Sequence, residues 1–148
     1  MIRREIFYYL LGIIFFVSGT MKAYSIYDFS AEVALYGDYY VAAWVVKWRM
    51  PIAISVCIVE IVTGLLALCH SLTIPISYAY MFMLSLFLYL TGRNYLFPPT
   101  EGSVESCGCF GELIHFSPRG AFYKSLALWG ISLLNIMLVV KNNNSQTT

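Results

Sequence analysis

Charge is what this sequence lacks most. Only 11% of its 148 residues are charged, against about 25% in a soluble domain. So few charges cannot cover a soluble surface, which excludes an ordinary soluble domain. The formal net charge is +1, so the basic excess expected of a nucleic-acid binder is missing too. No defensible internal repeat is present. Low complexity is confined to the polar tail 142–148, which reads as disordered. No small-x-small cleavage site ends the apolar run after Arg3 and Arg4, so that run reads as a retained membrane helix. What is abundant is apolar: 59% of residues are hydrophobic, and the mean hydropathy is +0.72. Twelve Tyr, ten Phe and three Trp suit a chain with many membrane-interface positions.

A membrane-spanning helix needs about 20 mostly apolar residues. Four segments qualify, at about 6–24, 51–69, 73–92 and 120–140. All four are expected to be helices, because an open strand in lipid leaves backbone groups unpaired. The predicted fold is therefore an all-α membrane protein, a single four-helix transmembrane domain over 1–141. The second and third spans are separated only by His70-Ser71-Leu72, which predicts a tight antiparallel hairpin. Between the first two spans, Phe29, Val33, Tyr36 and Tyr40 recur at helical spacing, as do Trp44 and Trp48. That segment reads as an interfacial helix with aromatic anchors, lying along the bilayer surface.

Four spans put both termini on one side and both long connections on the other. Arg3, Arg4 and Lys141 flank the termini side, and Lys22, Lys47, Arg49, Arg93, Arg119 and Lys124 the other. That count favours cytoplasmic long connections. Paired thiols in a connection favour an oxidising compartment instead. We place the termini inside.

The thiols belong to Ser106-Cys107-Gly108-Cys109-Phe110-Gly111-Glu112, in the polar connection before the last span. A Cys-x-Cys disulfide closes a very small ring, and strain makes such a bridge easier to reduce. Exchange with another protein's thiols is one reading; a structural clip or two unpaired thiols is the other. A zinc site built from Cys107, Cys109 and His115 is weaker, since it lacks a fourth ligand and the usual spacing. Glu60 is the only acidic residue within any predicted span. An ionisable residue there is expensive and faces a protein interior. Lys22, near the end of the first span, is its expected partner. Glu60 then serves as a proton relay or as an ion pair that fixes helix packing. Cys57 shares a face with Glu60 and reads as a small buried hydrophobe. Ser18, Gly19, Gly64 and Ala67 read as close helix contacts.

Cys-Gly-Cys-Phe-Gly at 107–111, followed by Glu112 and Ser117-Pro118, resembles the signature of the MauE-like branch of the DoxX-like membrane proteins. Ser18-Gly19 with Lys22, and Glu60 before Gly64, match further positions. The resemblance extends from about Ile6 to Val140. It implies a four-helix protein of the bacterial inner membrane. It also implies a role in maturing a disulfide-rich methylamine dehydrogenase subunit, with a thioredoxin-like partner. Relatives in the wider group are linked to quinone and sulfur redox chemistry. On that likeness Cys107, Cys109 and Glu60 are the expected catalytic residues, a quinone is the candidate cofactor, and no metal is expected. The chain has no Cys-x-x-Cys of its own, so a soluble oxidoreductase would be a separate protein. The alternative is a non-catalytic membrane assembly factor with a structural Cys-Gly-Cys connection.

Overall fold

Each of the four apolar runs is a helix, and three of the four helices extend past the run that predicts them, while α4 starts two residues early and ends at Leu68. The computed structural model describes residues 2–70, 72–97 and 118–146, with side chains for 5–70, 72–97 and 119–145. The elements are α1 (Ile2–Tyr24), α2 (Ile26–Tyr36), a π-helical turn (Gly37–Val41), α3 (Ala43–Lys47), α4 (Arg49–Leu68), α5 (Thr73–Leu96) and α6 (Pro118–Gln146). Helices α1, α4, α5 and α6 are long and apolar enough to cross a bilayer, and the protein is an integral membrane protein. Pro51 falls in the first turn of α4, and Pro118 opens α6, where a missing N–H costs nothing.

Two expectations about helix ends need correcting. The tail predicted as disordered from residue 142 is helical to Gln146. Backbone hydrogen bonding continues past the apolar stretch, and Ser145 donates its hydroxyl to the Lys141 carbonyl at 3.1 Å. Likewise α5 runs on to Leu96 rather than stopping at Gly92.

Helix pairing also differs from expectation. The turn between α4 and α5 is tight, with His70 and Leu72 in the left-handed region at φ 54° and 53°. Yet the two helices it joins meet only over a short stretch. The extensive contacts are α1 with α4 and α5 with α6. Small residues explain the first pair. A Cβ added at Gly64 would lie 2.6 Å from the Phe16 nitrogen and 2.8 Å from the Gly12 oxygen, so backbone meets backbone there, as small residues permit in membranes. Polar side chains clip the second pair. Asn135 donates to Ser77 at 2.9 Å, and Trp129 donates to Ser85 at 3.0 Å. All four long helices contribute to one core, including Tyr8, Leu11 and Phe15 of α1, Ala67 of α4, Tyr80 and Leu84 of α5, and Leu128 of α6.

The segment between α1 and α4 is helical, as its spacing predicts, but it does not simply float on the bilayer. Phe29 and Tyr36 are buried. Phe29 packs with Ala53 and Cys57 near the start of α4. They are bundle contacts rather than lipid anchors, because α2 turns its apolar face inward. Trp44 and Trp48 are exposed and keep the anchor role.

Candidate functional site

α1 and α4 are antiparallel. Side chains lean toward the N-terminus of their own helix. Lys22, in the last turn of α1, therefore reaches into the bilayer, and Glu60 leans back toward the start of α4. Glu60 stands 11 residues beyond Arg49, roughly 16 Å along the helix. Gly19 lets the two helices close at this level. A Cβ there would lie 2.8 Å from Ile61 Cγ1 and 2.9 Å from Glu60 Cβ.

The result is an ion pair sealed inside the protein. Lys22 Nζ donates to Glu60 Oε1 at 2.6 Å and to Oε2 at 2.8 Å. Lys22 is 0% exposed and Glu60 1%. Ser18, one turn before Lys22, donates to Glu60 Oε2 at 3.1 Å and accepts from Lys22 at 3.1 Å. Two rings cover the ammonium: its nitrogen lies 4.6 Å from the centre of Phe87 and 5.3 Å from that of Phe29. Cation–π contact strengthens when desolvated, to about 2 kcal/mol or more. Sequence reasoning treated Ser18 as packing only and missed both rings. The i, i+4 spacing of Ser18 and Lys22 was the available signal for the first; nothing local marks the rings. Cys57, on the Glu60 face, is buried and unbridged.

A cavity of about 320 Å³ lies beside this pair, between the α2–α3 segment and helices α4 and α5. Phe29 and Phe87 belong both to its wall and to the cover over Lys22. Val33, Trp44, Val56 and Leu90 are among its other lining residues.

A second polar group sits where α5 leads into the connection that carries the cysteines. Tyr40 donates to Asn94 Oδ1 at 3.3 Å and to the Phe97 carbonyl at 3.2 Å. Asn94 donates to the Tyr36 hydroxyl at 3.2 Å. Burial pushes the Tyr40 hydroxyl above its usual range, with Arg93 pulling it down and Tyr39 adding to the rise. The two long connections thus meet at one end of the bundle at the point where residue 97 begins the second. Cys107 and Cys109 lie outside the described residues, as do Gly108, Gly111, Glu112, His115 and Ser117. Of the predicted site residues the structure therefore places Glu60, and brings Lys22 to it.

No curated protein and no solved structure gives a significant match. A family model, methylamine utilisation protein MauE, matches residues 4–140. That stretch takes in all four spans, the Lys22–Glu60 pair and the Cys-Gly-Cys-Phe-Gly string, and the chain belongs to the MauE family.

Proposed function

We propose that this chain is a membrane thiol–disulfide exchange protein of a bacterial plasma membrane. Cys107 and Cys109 cycle between dithiol and disulfide with a thioredoxin-fold partner outside the cytoplasm. The observation that carries the reading is Cys107-Gly108-Cys109 within a stretch matched by a family linked to methylamine utilisation. Maturation of an extracytoplasmic, disulfide-bearing protein is the fitting task. In the exchange, a partner thiolate attacks one sulfur of the Cys107–Cys109 bridge and forms a mixed disulfide. The partner's second thiolate then resolves it. The partner leaves oxidised, and Cys107 and Cys109 hold the two electrons and two protons as thiols. The reverse sequence reduces the partner. Glu60, the acid within the predicted spans, is the candidate to hold a proton for this cycle, with Lys22 as its ion-pair partner.

A quinone fits poorly in the cavity beside the ion pair. Its two carbonyls need donors, and the cavity beside the ion pair is walled almost wholly by hydrocarbon. An unmet carbonyl there would cost about 1–3 kcal/mol.

The sealed state of the Lys22–Glu60 pair favours a second reading. A carboxylate at 1% exposure with a lysine on both oxygens is also what a purely structural clamp needs. The chain is then a non-catalytic assembly factor. Thiol trapping in cells separates the two. Cys107→Ser or Cys109→Ser is expected to hold a mixed disulfide with the partner at unchanged abundance. If neither cysteine variant traps a protein and the double variant works normally, the assembly-factor reading replaces exchange.

A further inference from the structure

The cavity walls raise a question separate from the thiol chemistry: what fills about 320 Å³ of apolar space? The volume falls at the low end of ligand pockets, about 300–1,000 Å³. Three of its lining residues, Val41, Trp44 and Leu86, are exposed. Leu86 sits in the middle of the spanning helix α5, so its exposed flank faces bilayer hydrocarbon. On α4 the lining runs from Ile52 to Val56. Val56 stands 7 residues past Arg49, which places the floor roughly 10 Å below that end of the helix.

The rim on this side has the residues of a membrane–water boundary. Trp44 and Trp48 are exposed there, as interfacial tryptophans are. Lys47 and Arg49, flanking Trp48, are exposed cations next to the lining residues Val45 and Ile52. Arg93, also exposed, follows Leu90 by one turn of α5. The exposed acids of the same segment are Asp28 and Asp38. The two carboxylate oxygens of Glu32, a lining residue, are themselves buried.

We infer that the cavity is a binding site for one phospholipid. An acyl chain enters past Leu86 and Trp44, and the phosphate sits against Lys47 and Arg49. The hydrocarbon wall selects a tail and not a polar head, since a head group's acceptors would go unpaired inside. Arg49, one turn before the lining residue Ile52 on α4, and Lys47 at the end of α3 supply the counter-charge for phosphate. The bound chain then packs against the outer faces of Phe29 and Phe87 and keeps water from the Lys22–Glu60 pair. This assignment is independent of the exchange chemistry proposed above.

The test is lipid retention. The full chain is reconstituted in nanodiscs of phosphatidylcholine and phosphatidylglycerol with added polyisoprenoid quinone. It is then released into detergent, and bound molecules are read by native mass spectrometry. The wild type is expected to keep a phospholipid. Val56→Trp, which fills the cavity, lowers retention about tenfold, as a loss of about 1.4 kcal/mol would. Ile52→Trp serves the same purpose should Val56→Trp misfold, and size-exclusion profiles check both. Lys47→Glu with Arg49→Glu lowers retention without touching the wall. The proposal is overturned by equal retention in wild type and filled variants. Retention of quinone in place of phospholipid also overturns it. So does an empty wild type, which would leave the space to another part of the chain.

Discussion

Lys22 of α1 points its ammonium at the face of Phe87 of α5, 4.6 Å from the ring centre, while both oxygens of Glu60 on α4 hold the same nitrogen. One charge therefore ties three spans together. Removing a single partner of a buried pair leaves an uncompensated charge and costs about 3–5 kcal/mol. Lys22→Met alone is expected to lower thermal stability in detergent by that order. The double variant Lys22→Met with Glu60→Met is expected to recover most of the loss, because the two apolar side chains leave no orphan. Additive losses in this double-mutant cycle would show that the pair is not coupled.

Gly64 offers a packing test with an internal control. Gly64→Ala puts a methyl 2.6 Å from the Phe16 nitrogen, and overpacking of this kind costs about 1–3 kcal/mol. Gly130→Ala in α6 meets nothing within 4 Å and gains in helix propensity, by up to about 1 kcal/mol in water-based scales. Thermal unfolding should move in opposite directions for the two. A neutral Gly64→Ala would mean that α1 and α4 do not touch at this level.

Tyr40 anchors the last turn of α5. Tyr40→Phe removes its bonds to Asn94 and to the Phe97 carbonyl, each worth about 0.5–1.5 kcal/mol net. Hydrogen exchange should rise at residues 93–97 and stay unchanged in α1 and α4. The hydroxyl's folded pKa is raised above its ordinary value of 10.0. Its contribution is therefore complete below that value and fades as pH rises through the higher folded one. Exchange at 93–97 in the wild type should accelerate in that alkaline range and not in acid.

The two cysteines of α4 and its following turn report on sidedness. Cys57 is buried and Cys69 exposed. In a Cys107→Ser, Cys109→Ser background, a maleimide should label Cys69 readily and Cys57 only on unfolding. With the termini inside, an impermeant maleimide added to intact cells leaves Cys69 unlabelled until the cells are opened. Labelling in intact cells reverses the topology and puts the Cys-Gly-Cys connection in the cytoplasm.

Much of the fold was legible because lipid imposes a simple rule on sequence. Four long apolar runs announce four spans, and Glu60 stands out as the one acid inside them. Its pairing with Lys22 was legible for the same reason: a buried carboxylate needs a cation, and few are near. The close contact of α1 with α4 was legible in part, through Lys22 and Glu60 and the small residues Gly19 and Gly64, but the slight contact of α4 with α5 was not, since chain proximity pointed to a tight hairpin there. The break at Gly37–Val41 was hidden because Tyr36 and Tyr40 keep a helical spacing across it. The cavity left no trace in the sequence. Its wall is assembled from α2, the π-helical turn, α3, α4 and α5, and no single stretch shows more than ordinary apolar residues.

The pairing of α1 with α4 and of α5 with α6 has a consequence for the order of synthesis. These are consecutive spans, the first with the second and the third with the fourth. When Glu60 enters the membrane during translation, the helix carrying Lys22 is already there. Synthesis in this order lets the charge meet its partner before α5 arrives to lay Phe87 over the pair. Each half of the chain is thus a hairpin with its own principal interface. Residues 1–70 and 71–148 produced as separate polypeptides should find one another in the bilayer.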